Sequence, residues 1–210
     1  MAIDEVFDLL QRGTDLLIAG RVDEALNLFK SATSTYGDCP EAYHGLGLAL
    51  AEVGHYEKAV AAFDQALARS PTWTLPHHDR GHALFRLGRC EEALASFEAV
   101  IATEPDHARA WVGKAGSLHQ LGRQEEALEA MDRAIALRPA DPEVLILRAG
   151  LLRDLGRKEA MNAAIEAAAR VISERVKPAP QDKASPAVSD SVASSALAIP
   201  RLVLSKGARR

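Results

Sequence analysis

Two histidines at the spacing of one helical turn, His78 and His82, are the residues of this sequence best placed to do chemistry. Side chains at i and i+4 lie on one face of a helix, where two imidazoles can converge on a metal ion. A complete site needs further ligands, and Asp79 and Glu41 are the only carboxylates that the sequence register places nearby. The alternative is that these imidazoles are surface groups suited to contact with a peptide, in a pH-dependent manner. We expect no metal and no other cofactor.

The remaining groups that could react are two cysteines, Cys39 and Cys90, which resemble neither a disulfide framework nor a metal motif. Cys39 lies just before a predicted helix and Cys90 just after Gly88, so a helix N-terminus could lower the pKa of either thiol modestly. Free structural cysteines are nevertheless commoner than nucleophiles. Ser117 and His119 lie two residues apart and face different ways on a helix, and no glycines cluster into a phosphate-binding loop. We therefore predict that the chain is not an enzyme.

Composition narrows the classes of partner. The chain is 48% apolar and 26% charged, which is typical of a soluble protein, and its low aromatic content of 5% predicts a core of Ala, Leu and Val. Residues 177–210 hold six Lys or Arg against two Asp, so residues 1–176 carry a net charge of −8. An acidic body disfavours nucleic acid, which needs a basic face. No apolar run approaches the roughly 18 residues of a membrane span, and the acidic N-terminus does not resemble a secretory signal. We expect a cytoplasmic protein.

A period of 34 residues organises most of the sequence. Several residue types share it without a gap, and this predicts a repeated structural unit. The glycines in this register are Gly20, Gly54, Gly88, Gly122 and Gly156, and the leucines are Leu16, Leu50, Leu84, Leu118 and Leu152. Phenylalanine follows the same register at Phe29, Phe63 and Phe97, and proline at Pro71, Pro105 and Pro139.

Each unit has the pattern of two helices joined by a turn. In residues 40–73, the motif residues between Tyr43 and Leu50 are spaced three or four positions apart, so they lie on one face of a helix. Gly54 then interrupts the helix, because glycine reaches the left-handed conformation that a turn requires. Phe63 belongs to the inner stripe of a second helix, which Pro71 ends.

Small residues should allow the two helices of a unit to approach closely. We expect small residues of the first helix to meet alanines of the second, with a large side chain filling the gap one turn further on. The first-helix positions are Gly13, Gly47, Gly81, Ala115 and Ala149, and the second-helix alanines are Ala25, Ala59, Ala93 and Ala127.

These features make the chain similar to the tetratricopeptide repeat family, whose pattern is W-x2-L-G-x2-Y, then A-x3-F, then P. The second unit contains Tyr43-x2-Leu46-Gly47-x2-Leu50, followed by Ala59-x3-Phe63 and Pro71. The resemblance implies an all-α, right-handed α-solenoid of about five helix-turn-helix repeats over residues 1–176. The units are 6–39, 40–73, 74–107, 108–141 and 142–175, and the outer two depart from the pattern, as terminal repeats do.

In this family the first helix of each pair lines a concave groove, and the resemblance implies a peptide-binding role for it. The residues that the register directs into the groove include Leu10 and Thr14 in the first unit. The candidate binding residues are His44, Leu48, His78, His82, Phe85, Arg86, Arg109, Val112 and His119. The carboxylate clamp by which some members grip acidic C-termini of chaperones is absent in both possible registers.

We therefore predict a non-enzymatic scaffold or adaptor that binds a peptide or helix of a protein partner. Two alternatives stay open: a dedicated chaperone for one secretion or assembly client, and an accessory subunit of a separately encoded enzyme. Residues 177–210 are rich in Pro, Ser and Ala and are predicted to form a flexible basic tail. The apolar and basic end of that tail could be inert, occlude the groove or engage a partner.

Overall fold

The computed structural model describes residues 2–176, with side chains from residue 5 onward, so the predicted tail lies outside the described residues. Within residues 2–176 the chain forms ten α-helices and no strand, which confirms the predicted all-α repeat fold. The helices are α1 (Ala2–Ile18), α2 (Val22–Thr35), α3 (Pro40–Glu52), α4 (Tyr56–Arg69), α5 (Thr74–Arg86), α6 (Cys90–Thr103), α7 (Ala108–Gln120), α8 (Gln124–Leu137), α9 (Pro142–Asp154) and α10 (Lys158–Val176).

The five periodic glycines make the turn within each helix pair. Gly54 has φ of 77°, and its four counterparts have φ between 70° and 75°, a region that other residues rarely occupy. The amide of the next residue, His55, then donates to the carbonyl of Leu50 at 2.9 Å, which closes the end of α3. The same bond recurs at each turn, so the glycine and the leucine share the 34-residue period because one turn needs both.

The glycines at the small-residue positions of the first helices pack against an aromatic ring of the second helix. A Cβ added to Gly47 would lie 2.4 Å from Cε1 of Phe63, whose side chain is fully buried. Gly13 and Gly81 face Phe29 and Phe97 in the same way. Glycine therefore makes room for the ring, which is the large side chain expected to fill the gap between the two helices. In the fourth and fifth pairs the register instead holds Ala115 with Met131 and Ala149 with Ile165.

The first helices form the inner side of the stack. Contacts join α1 to α3, α3 to α5 and α5 to α7, whereas no comparable contacts join successive second helices within residues 2–176. Helices on the inner side of a curved stack lie closer together than those on its outer side. These contacts are those expected of first helices that line a concave surface.

Ion pairs join each of the three central second helices to the first helix of the next pair. They also follow the 34-residue period, which the sequence analysis did not detect. The pairs are Asp64–Arg80 at 2.6 Å, Glu98–Lys114 at 2.8 Å and Asp132–Arg148 at 2.6 Å. Each has one half-exposed carboxylate, so each contributes modestly to stability.

Candidate peptide-binding groove

The candidate residues all lie on the first helices α3, α5 and α7, with different degrees of exposure. His82, Arg86 and Arg109 are exposed. The side chains that are partly covered are Leu48, His78, Phe85, Val112 and His119. The exposed and half-exposed members concentrate on α5 and α7, which makes the third and fourth helix pairs the most accessible part of the predicted site.

Three residues that the register directed into the groove are buried instead. Leu10 and Thr14 of α1 lie in the protein interior, where the Thr14 hydroxyl donates to the carbonyl of Leu10 at 2.9 Å. His44 of α3 is also buried, with its ring edge-on to Trp73 at a centroid distance of 4.9 Å. The register predicts the helix face from which a side chain projects, but it does not predict whether neighbouring residues cover that side chain, as Trp73 covers His44.

Asp79 is the centre of a polar network that joins α3 to α5. Its Oδ2 accepts from Nε2 of His44 at 2.7 Å, and its Oδ1 accepts from Nδ1 of His78 at 3.3 Å. Burial alone would raise the pKa of the Asp79 carboxyl, but these two bonds outweigh burial and hold the pKa well below its ordinary value. The equivalent positions in the neighbouring repeats hold Gly45 and Gly113, so this network departs from the repeat pattern.

Three imidazoles gather beside this carboxylate. The ring centroid of His78 lies 4.6 Å from that of His82 and 5.1 Å from that of His107. Nε2 of His78 is buried and has no hydrogen-bond partner among the described residues. Burial, His78 and Arg109 together lower the pKa of both His82 and His107 below the ordinary histidine value.

The sequence analysis missed His107, because this residue precedes α7 rather than lying on a first helix. Its ring accepts a hydrogen bond from the amide of Ala110 at 3.1 Å and so caps the helix. The capping position of the repeat was the available signal, since Asp141 does the same for α9 one period later.

The carboxylates that the sequence placed near the histidine cluster are engaged by neighbouring residues of the chain. Among the described residues, no three His, Cys, Asp or Glu side chains converge in a way that could hold a metal ion. Both oxygens of Asp79 already accept hydrogen bonds from histidines, and Glu41 accepts one from the thiol of Cys39 at 3.1 Å. The neighbours of these carboxylates therefore explain their positions without a metal.

The cysteine thiols are less acidic than the sequence suggested. Burial and the hydrogen bond to Glu41 raise the pKa of Cys39 to about 11. Burial also raises the pKa of Cys90, which packs among the core residues. The expected lowering of either pKa by a helix N-terminus is wrong, because loss of solvent around each thiol outweighs the helix dipole.

Contacts between α5 and its neighbours position the rest of the groove surface. The Phe85 ring lies against Gly116 of α7, where an added Cβ would be 3.6 Å from the ring. The Arg86 guanidinium lies over the ring of Tyr56, 4.8 Å from its centroid. An apolar ring at the junction of two first helices is accessible to a bound segment, whereas Arg86 is partly engaged by its own chain.

A curved stack of five helix pairs with a surface of partly exposed side chains on its inner helices defines a helical repeat protein. The sequence pattern of the tetratricopeptide repeat family matches residues 10–72 and 78–142, which is more than half of the chain. The chain belongs to the tetratricopeptide repeat family. Proteins of this fold are in general interaction scaffolds that bind protein partners.

Solved structures support the same fold. The protein MamA from Desulfovibrio magneticus RS-1, from residue 41 to its end, is 26% identical, with 84% of this chain and 98% of that chain covered and a TM-score of 0.71. The thermophilic repeat protein TTC0263 of Thermus thermophilus is 22% identical, with 81% of this chain and 99% of that chain covered and a TM-score of 0.63. PilF of Pseudomonas aeruginosa is 19% identical, with 81% of this chain and 78% of that chain covered and a TM-score of 0.73.

No curated protein sequence matches this chain. Within residues 2–176, no helix combines the length and the apolar character that crossing a membrane requires.

Proposed function

We propose that this chain is an adaptor whose groove at the third and fourth helix pairs receives a peptide or helix from a protein partner. One observation carries the proposal. The apolar side chains of Phe85 on α5 and Val112 on α7 are partly exposed, and Arg109, about one turn before Val112 on α7, is exposed. An apolar anchor beside an arginine is the combination that most often dominates binding energy at protein interfaces.

The position of this surface supports the proposal as well. Contacts join α5 to the first helices on both sides of it, α3 and α7, so a bound segment can contact three consecutive repeats. Repeat proteins use such concave surfaces for extended partners. The surrounding body is acidic, which makes the cationic group at Arg109 a distinguishing feature of this part of the groove.

The test compares two double variants with matched loss of apolar surface. Phe85→Ala/Val112→Ala removes the proposed anchor, and Ile18→Ala/Leu137→Ala removes exposed apolar side chains at two helix ends outside it. Partners are captured from lysate of the native host, identified by mass spectrometry and measured by titration against each variant. Circular dichroism first establishes that both variants remain helical.

We expect the groove variant to weaken partner binding at least about 30-fold, which corresponds to about 2 kcal/mol for a dominant anchor. The control variant should bind as the unchanged protein does. Equal affinity of a folded groove variant would place the binding surface elsewhere on the solenoid.

A further inference from the structure

We infer that the segment bound in this groove is acidic, and that one of its carboxylates docks against His82 and Arg109, with His82 taking up a proton as the partner binds. This inference rests on the proposed function of the groove. It adds the chemistry of the partner and a dependence of affinity on pH.

The first argument is an imbalance of charge around the cluster. The only carboxylate that contacts the cluster directly, among the described residues, is Asp79, and both of its oxygens already accept hydrogen bonds from histidines of its own chain. The His78 ring lies against those of both His82 and His107, and Arg109 is close enough to lower the pKa of each of these two rings. A group of potential cations with no free anion of its own favours an anion from outside.

The second argument is the environment of Arg109. It is exposed in the first turn of α7, and no ion pair or hydrogen bond joins its side chain to another described residue. Other basic residues nearby are engaged, since Lys114 contacts Glu98 at 2.8 Å and Arg86 lies over Tyr56. Arg109 is therefore available to form a bidentate pair with a partner carboxylate.

The groups that face His82 from each helix packed against it are consistent with the docking of a partner carboxylate. From α5 they are His78 and Asp79, with Arg86 one turn further along the helix. From α6 the contact is the Phe97 ring, at a centroid distance of 5.2 Å. From α7 the charged group is Arg109.

Two further groups lie around the cluster but do not supply a free carboxylate. On the α3 side, His44 reaches the cluster only through Asp79. At the end of α6, Glu104 accepts a hydrogen bond from the hydroxyl of Thr74 at 2.6 Å and raises the pKa of His107. In the described part of the free protein, Asp79 is the one carboxylate that favours a charged His82, and burial, His78 and Arg109 together outweigh it.

The expected pH dependence follows from these neighbours. In the free protein the pKa of His82 is lowered, so the ring is mostly neutral at pH 7. A docked carboxylate within about 4–6 Å favours the charged ring, and we expect it to raise the pKa of His82 from about 4 by about two units. Because the bound state then binds more protons, affinity rises as the pH falls through the range between the two pKa values.

The experiment uses the full chain and two synthetic probes of twelve residues, one with glutamates alternating with alanines and leucines, the other with glutamine in place of each glutamate. Binding is measured by calorimetry at pH 7.5 and pH 5.5, where the glutamates stay charged and helicity is checked. We expect only the glutamate peptide to bind, and to bind about fourfold more tightly at pH 5.5 than at pH 7.5. Equal binding of the two peptides, or affinity independent of pH, would overturn the inference.

Variants assign the effect to the proposed residues. His82→Gln should retain weak binding but lose its pH dependence, and Arg109→Gln should weaken binding at both pH values. His55→Gln, which changes an exposed histidine at the start of α4, is the matched control and should change neither the affinity nor its pH dependence. A pH dependence that persists in folded His82→Gln also contradicts the inference.

A spectroscopic measurement on the unchanged protein is independent of variant folding. In the presence of the glutamate peptide, the NMR titration of the His82 ring should shift to higher pH, and an unshifted titration rules out proton uptake. If the peptide fails to bind while Phe85→Ala/Val112→Ala still releases a captured partner, the groove function stands and only the acidic partner is wrong.

Discussion

Gly47→Ala should destabilise the protein even though alanine is the better helix former. The added Cβ would lie 2.4, 2.6 and 2.9 Å from three atoms of the Phe63 ring, closer than real Cβ contacts allow. Phe63 is fully buried, so its ring has little room to move. Overpacking of this kind costs about 1–3 kcal/mol, and three short contacts favour the upper end. The gain in helix propensity returns about 1 kcal/mol, which leaves a net loss of about 2 kcal/mol.

Gly150→Ala is the matched control. Gly150 also lies inside a first helix, but an added Cβ would meet no atom within 4 Å. The same substitution should therefore stabilise the protein by about 1 kcal/mol through helix propensity alone. The two variants should differ by about 3 kcal/mol in the free energy of unfolding, measured by urea titration with circular dichroism and tryptophan fluorescence.

The fourth helix pair suggests how the loss can be rescued. There Ala115 faces Met131, which is flexible and fits an irregular gap. The double variant Gly47→Ala/Phe63→Met should therefore be more stable than the sum of its single changes by about 1 kcal/mol or more. The steric argument is refuted if Gly47→Ala and Gly150→Ala have equal effects, or if the two changes in the double variant simply add.

Three further predictions concern burial and titration. Phe63→Ala should lower the free energy of unfolding, measured with urea, by about 3–5 kcal/mol. Ile165→Ala, at the same register but 49% exposed, should lower it by about 1 kcal/mol. Equal losses would mean that the Phe63 ring is not the core of its repeat. The free energy of unfolding should fall by about 1 kcal/mol or less as the pH drops from 7 to 5. The reason is that the pKa of the partly exposed His82 is lowered in the folded protein, so the unfolded chain binds more protons than the folded chain does. Folded His82→Gln should show a smaller fall. Cys39 and Cys90 should react with iodoacetamide at pH 7.5 at least about tenfold more slowly in the native protein than in urea, and fast native labelling would contradict their raised pKa values.

The period of the sequence was enough to predict the helices and their turns. A glycine that must adopt positive φ and a buried leucine recur in every unit, so each turn carries its own local signal. The outer ends were less well predicted. α1 begins at Ala2, before residue 6. α10 continues to Val176 because Ser173 replaces the proline that follows α4, α6 and α8 at this register.

The polar network at the groove could not be predicted, because it depends on distances between repeats. The register placed His78 and His82 on one face, but it could not show that Asp79 would accept hydrogen bonds from two different helices. Nor could it show that the ring of His44 would be covered by Trp73. Side-chain rotamers and the spacing of neighbouring helices determine these contacts, and a helical period contains neither.

The pairing of glycine with a phenylalanine ring determines which pieces of this protein can be exchanged. If α7 were transplanted alone into the position of α3, Ala115 would face Phe63 and the chimaera would be overpacked. If α7 and α8 were transplanted together, Met131 would come with Ala115 and the interior of the pair would stay matched. The smallest module that can be duplicated or shuffled without repacking its interior is therefore the two-helix unit, and single-helix grafts between these repeats need a compensating change in the second helix.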